Sequence, residues 1–327
     1  MFSIKGKRRI ALRKGNGLMK LLKKELAWAL AVCTLIVSLA GCSSQPATSP
    51  ATTTPVTEES TMPVFKDGMD LLAIGHSNTC MSTYELCKIF DNLGYENFNL
   101  GVLWRGDSNF KVHTNLANTN QAGVVYHKPT LEKFSDPADT ENLTNYRTVL
   151  KDREWDAIVI YQGGPALGDE GAYDPYLKNL IRAIKRYCPN AKIYYGIMWA
   201  YPTDSKTPGF VDNYGADQMT MHNAAIEMTK KMVVGTEGID GIIPLATLIQ
   251  SLRTKYGEAF HVADRVHINT TGSYVVGLMW YAALTGLPLD ELSYLPSGVN
   301  SQIAQDAKAL IPQILKDPYT IIDISEE

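Results

Sequence analysis

Near its C-terminus the chain reads HVADRVHINTTGSY, with Asp264 and His267 three residues apart. On one turn of helix or in a tight loop, that spacing brings a carboxylate beside an imidazole. A carboxylate so placed holds the ring N–H, fixes the tautomer and stabilises the imidazolium that forms when the ring takes a proton. Standing alone, a D-x-x-H is more often a surface pair near a helix cap. A partner for it lies far upstream, in DLLAIGHSNTC at residues 70–80. There four apolar residues, 71–74, run into Gly75-His76-Ser77, and a helix-like pattern begins at once. A serine hydroxyl is a poor nucleophile until a neighbouring imidazole removes its proton. At the mouth of a helix, Ser77 is placed to serve as cap, as nucleophile, or as both.

These residues need elements to hold them. Residues 71–74, 97–104, 155–162, 191–199 and 240–245 read as short apolar strands, and 122–128 as an inserted hairpin strand. Helical patterns cover 79–93, 175–187, 213–232, a stretch ending near Tyr256, 271–285 and 301–315. Apolar strands alternating with amphipathic helices predict crossover units and a parallel sheet covered on both faces. The expectation is one three-layer α/β/α domain over 64–327, with a mainly parallel five-stranded sheet.

In such sheets ligands bind beyond the carboxyl ends of the strands. Read in order, those ends are Gly75-His76-Ser77, Arg105-Gly106-Asp107-Ser108, Gln162-Gly163-Gly164 and Trp199-Ala200-Tyr201. Each delivers a small or hydrogen-bonding group to one edge. Any one of them is an ordinary loop; together they read as a site.

A G-x-S strand end, a second-strand glycine, a third-strand amide and a late D-x-x-H resemble the SGNH (GDSL-like) hydrolase superfamily. The likeness is nearest to a bacterial branch catalogued as a domain of unknown function. It runs over most of 70–285 through AIGHS, LWRGDSNFKVH, WDAIVIYQ, MWAY and DRVHINTTGSY. The resemblance implies a flavodoxin-like fold and ester hydrolysis without a cofactor. It implies Ser77 as nucleophile, His267 as general base and Asp264 as its orienting carboxylate. For the oxyanion hole it implies the N–H groups of Ser77 and Gly106 and the side-chain amide of Gln162. Gln162 stands where the superfamily usually has asparagine, and His76 where it has aspartate. A standard α/β-hydrolase elbow is excluded, because Gly75-His76-Ser77-Asn78-Thr79 lacks the second glycine of G-x-S-x-G.

Further candidates for the substrate pocket are His76, His113, Trp199 and Tyr201. His113 follows the RGDSNF loop and suits either a pocket or a structural place. Trp199 and Tyr201 lead into the polar loop PTDSKTPGF, which favours pocket lining; Trp104 and Tyr161 suit core and pocket equally. None of the six histidines forms H-x-H or H-E-x-x-H, so the sequence supports no metal site.

Residues 1–41 carry nine Lys or Arg and then an apolar run of about fifteen residues, short for a membrane span and suited to export. The run ends in Leu39-Ala40-Gly41-Cys42, which resembles the bacterial lipobox, with Cys42 as the lipidated residue. Residues 43–63 are nearly all Ser, Thr, Pro, Ala and Glu, which predicts a disordered tether after Cys42. Of 31 basic and 34 acidic residues, the signal removes nine and one, leaving a net charge of −11. So acidic a body argues against nucleic-acid binding, and any membrane attachment should come through the lipid.

The expectation is therefore an envelope lipoprotein, anchored outside the cytoplasm. It removes a small acyl group, most plausibly acetyl, from a small molecule or glycan. A glycan-binding lipoprotein with a decayed pocket is the alternative, and acyl transfer would use the same residues.

Overall fold

The structure, a computed structural model, describes residues 68–134 and 142–326. The expected signal at 1–41, Cys42 and the tether to 63 lie outside the described residues.

Seven strands form one sheet: β1 (Met69–Gly75), β2 (Phe98–Trp104), β3 (Val124–His127), β4 (Leu143–Thr144), β5 (Ala157–Tyr161), β6 (Lys192–Gly196) and β7 (Gly241–Ile243). Their spatial order is β4-β3-β2-β1-β5-β6-β7. Strands β2, β1, β5, β6 and β7 run parallel, while β3 lies antiparallel to β2 and β4 antiparallel to β3. The sheet thus has seven strands, not the five expected, because a hairpin extends one edge. Its outer member is two residues long, too short to leave a period-two signal in the sequence.

The order contains a switch point. From β1 the chain moves outward to β2 and the hairpin, then returns to β5 on the other side of β1. Connections leaving β1 and β5 diverge to opposite sides, which opens a crevice beyond their carboxyl ends. All five residues of β5 are buried, as a strand covered on both faces requires.

Ten α-helices flank the sheet among the described residues: α1 (Ser77–Ser82), α2 (Leu86–Asn92), α3 (Phe110–Thr119), α4 (Tyr146–Leu150), α5 (Tyr176–Lys185), α6 (Pro208–Tyr214), α7 (Gln218–Met228), α8 (Leu245–Tyr256), α9 (Thr270–Thr285) and α10 (Ser301–Lys316). Helix α9 packs with α1, α2, α8 and α10; α3 packs with α4 and α5. Every residue of α9 from Gly272 to Thr285 is buried, consistent with a sequence apolar all round. Tyr161 of β5 stacks on Trp280 of α9, their rings 5.9 Å apart.

The helix expected over 79–93 is two helices. Ser82 donates its hydroxyl to Thr79 O at 2.8 Å, and Thr83 donates to Cys80 O at 2.7 Å. Side chains that occupy the carbonyls of the preceding turn compete with helix propagation. The helix expected over 213–232 breaks for a different reason. Gly215 and Ala216 both take left-handed backbone, at φ +63 and +56, and Asp217 restarts the chain by capping α7 through Thr220 N at 2.6 Å. Helix α3 was not expected at all; its signal is the N-cap Asn109, which accepts from Val112 N at 3.2 Å.

Candidate active site

Strand β1 ends at Gly75, and the chain turns directly into α1. Space is tight there: a Cβ on Gly75 would stand 2.2 Å from Thr79 Oγ1, the atom that accepts the His76 N–H. Only glycine permits this turn. His76 occupies the N-cap position and Ser77 is the first helical residue. The serine therefore does not cap the helix. Its backbone N–H is one of those a helix start leaves open, since the first bonds to His76 O come from Thr79 and Cys80.

The hydroxyl of Ser77 faces the far end of the chain. His267 Nε2 lies 2.7 Å from Ser77 Oγ, and His267 Nδ1 lies 2.6 Å from Asp264 Oδ2. With the Nδ1 proton donated to the carboxylate, Nε2 is the acceptor for the serine proton. Asp264 Oδ1 accepts from the backbone of Val266 at 2.9 Å and of His267 at 3.0 Å. Partial burial opposes the charge on Asp264, but the hydrogen bonds from His267 and Val266 outweigh it and hold the carboxyl below its ordinary range.

A hairpin presents this pair. His261 bridges Ile268 antiparallel, and Val262 donates to His267 O at 2.9 Å. The tip holds Arg265 in left-handed backbone at φ +58, and its guanidinium Nε reaches Asp204 at 2.7 Å. From the other side, Asn78 Nδ2 donates to Val266 O at 3.2 Å and so ties α1 to the hairpin. The sequence reading did not single out Asn78. Its position directly after the serine was the available signal.

Ser77 and His267 open into a cavity of about 470 Å³. Gly106, Asp107, Ser108 and Asn109 line one wall, Gly163 to Ala166 another, and Trp104, Tyr201 and Thr207 complete it. Gly106 is exposed, and no described residue accepts its N–H. Among the described residues neither Lys nor Arg lines the cavity, whereas Asp107 does.

Three expectations for this pocket need correction. Gln162 is fully buried and does not line the cavity. Its Oε1 accepts from Phe110 N at 3.0 Å and Gly163 N at 3.1 Å, and its Nε2 donates to Ala172 O at 3.2 Å. The extra methylene relative to asparagine carries the amide past the cavity wall into these backbone groups. His113 also turns inward: it is 1% exposed, with Nε2 2.8 Å from Ser108 Oγ and Nδ1 2.6 Å from Tyr146 Oη. Burial lowers its pKa to about 3, so it is neutral and structural. Trp199 is 0% exposed and belongs to the core, because the apolar segment 197–200 stays buried beyond the end of β6.

The remaining candidates stay at the cavity. His76 lines it and has Nε2 3.2 Å from Gln162 O. Burial lowers its pKa to about 4, which keeps the ring uncharged. Tyr201 lines the cavity next to Gly164, where a Cβ would stand 2.4 Å from its phenol oxygen. Of the two open cases, Trp104 lines the cavity and Tyr161 lies in the core. Among the described residues, no group of three or more His, Cys, Asp or Glu gathers where it could hold a metal ion. Cys80, Cys87 and Cys188 are buried and unbridged.

Residues 71–312 match the family described as "Domain of unknown function (DUF4886)". A crystal structure of a DUF4886 family protein from Bacteroides uniformis is similar at TM-score 0.72 and 26% identity, over 80% of this chain and 99% of that one. A putative SGNH hydrolase from Slackia heliotrinireducens has TM-score 0.44 and 17% identity, over 68% of this chain and 100% of that one. A catalytic mutant of Axe2, an acetylxylan esterase from Geobacillus stearothermophilus, has TM-score 0.41 and 12% identity, over 70% and 96%. No curated protein matches the chain.

Proposed function

This chain belongs to the DUF4886 family, and from that premise we propose that it is a serine esterase of the SGNH type, acting on a small acyl ester. One observation carries the reading: Ser77 Oγ, the His267 ring and the Asp264 carboxylate form an unbroken line of hydrogen bonds, 2.7 and 2.6 Å long. Groups within about 2.6–3.2 Å are in reach for proton transfer.

Attack by Ser77 Oγ on the ester carbonyl carbon forms the new C–O bond while the hydroxyl proton passes to His267 Nε2. The carbonyl electron pair moves onto oxygen, where the N–H groups of Ser77 and Gly106 stand ready to receive the charge. Collapse of this intermediate breaks the bond to the alcohol, which leaves with the proton from His267. Water then attacks the acyl-serine by the same route, giving the free acid and restoring Ser77. Asp264 stays ionised throughout and balances the imidazolium. The intact line of three groups supports catalysis over a decayed glycan-binding pocket.

The cavity and the expected setting support a reading of the substrate. A cavity of about 470 Å³ open to solvent has room for an acyl group together with part of the alcohol portion; a small acyl group, acetyl above all, is the reading we favour. Trp104 and Tyr201 offer apolar and hydrogen-bonding surface for a sugar. Asp107 disfavours an anionic alcohol by charge repulsion. We place the protein at the bacterial envelope, exported by residues 1–41 and anchored through lipid on Cys42. Envelope glycans are then the substrate at hand.

The test is p-nitrophenyl acetate hydrolysis by the wild type and Ser77→Ala. The variant should fold normally and lose at least 10³-fold in kcat. Undiminished turnover would remove Ser77 from the mechanism.

A further inference from the structure

The correction at Gln162 leaves the third oxyanion position without the donor the sequence assigns to it. We propose that the side-chain amide of Asn109 fills that position as a catalytic residue. This inference rests on the esterase reading above and adds a group to its site.

The side chain of Asn109 is anchored through its oxygen. Its Oδ1 accepts from Val112 N at 3.2 Å as the N-cap of α3. An asparagine amide has one oxygen and one nitrogen on the same planar carbon, so committing the oxygen to the helix turns the NH₂ the other way. That nitrogen has no protein partner among the described residues and is not enclosed, while the residue itself lines the cavity that holds Ser77, Gly106 and His267. The amide nitrogen therefore opens into the reaction space.

The backbone beneath it is held as tightly. Phe110 N and Gly163 N both donate to Gln162 Oε1, which clamps the start of α3 against the end of β5. A Cβ on Gly163 would stand 2.3 Å from Ser108 O, so the two segments approach as closely as backbone allows. Ser108 is anchored in turn by donating to Arg105 O at 2.8 Å and by the buried His113 ring at 2.8 Å. Gln162 thus positions the segment from which Asn109 presents its amide. The donor has moved from the end of β5 to the loop after β2, on the other side of β1, and the old donor has become its support.

Such preorganisation is what an oxyanion site requires. The donor must already point at the place where charge develops, with no reorganisation during the reaction. Gly106 and Asn109 lie on one loop, four residues in all, and line the same cavity as Ser77.

The test uses Asn109→Ser and Asn109→Asp. Both keep an oxygen that can cap α3, so the fold is retained, and both delete the NH₂ donor. Melting temperature and labelling of Ser77 by a fluorophosphonate check the fold and the nucleophile. With p-nitrophenyl acetate, Asn109→Ser should lose about 10²- to 10³-fold in kcat with KM within about threefold of wild type. Asn109→Asp should lose more, since it sets a carboxylate against the developing oxyanion. A structural role would instead lower the melting temperature and leave kcat of the folded fraction intact. Asn109→Ser with wild-type kcat overturns the assignment and leaves the role of Ser77 standing. Full activity in Ser77→Ala overturns both.

Discussion

Replacing Asp264 by asparagine tests the tautomer argument directly. Asp264 Oδ1 accepts two backbone N–H groups, from Val266 at 2.9 Å and from His267 at 3.0 Å. An asparagine oxygen can keep both bonds, and an NH₂ there would meet two donors. The amide is therefore forced to place oxygen on the backbone and NH₂ towards His267 Nδ1. Facing a donor, the ring must present Nδ1 as acceptor, which moves its proton to Nε2. Nε2–H then points at Ser77 Oγ, 2.7 Å away, and cannot accept its proton. The line stays connected but runs backwards. The expected loss is about 10⁴-fold in kcat/KM, or about 5.5 kcal/mol of transition-state stabilisation. Because the backbone bonds survive, the melting temperature should change little. The assay is initial-rate hydrolysis of p-nitrophenyl acetate, with Ser77→Ala as the floor. Asp264→Asn within tenfold of wild type would refute the reasoning.

Two further tests probe what holds the site. His113 has its folded pKa lowered to about 3 by burial, against an ordinary 6.5, so the unfolded chain binds its proton first as pH falls. Its contribution is complete above pH 6.5 and declines below it, by about 2 kcal/mol at pH 5. Urea denaturation from pH 7.5 to 5 should therefore fall less steeply for His113→Gln than for wild type; parallel curves would contradict this. Asn78→Ala removes the bond to Val266 O and leaves the hairpin looser over Ser77. The expected result is about a tenfold fall in kcat with about 1 kcal/mol lost in stability, and unchanged kcat would discount the tie.

The sequence was most legible where a signal was both local and repeated. Strands β1, β2, β5 and β6 are apolar runs bounded by turn residues, and their order predicts the parallel core. Ser77, Asp264 and His267 were legible because a G-x-S strand end and a late D-x-x-H resemble a family pattern that implies their meeting, and the structure brings the three together. Elements decided by single side chains were not legible. The break between α1 and α2 depends on the hydroxyls of Ser82 and Thr83, and the start of α3 on Asn109 alone. Gln162 illustrates the limit most clearly. Its position along the chain suits an oxyanion donor, yet one methylene decides whether the amide reaches the cavity or the backbone behind it. His113 and Trp199 fail for the same reason, since a strand end does not reveal which way a long side chain will turn.

Ser77 and the imidazole hydrogen-bonded to it lie 190 residues apart, on segments made early and late. On the proposed esterase reading, a ribosome that has finished Ser77 has built only an inert alcohol, which stays inert until the hairpin bearing His267 emerges. A fragment ending anywhere before that hairpin should then be silent towards esters. Reactivity of this serine is thus a gauge of completed folding: an acylating probe will count native molecules and pass over truncated ones.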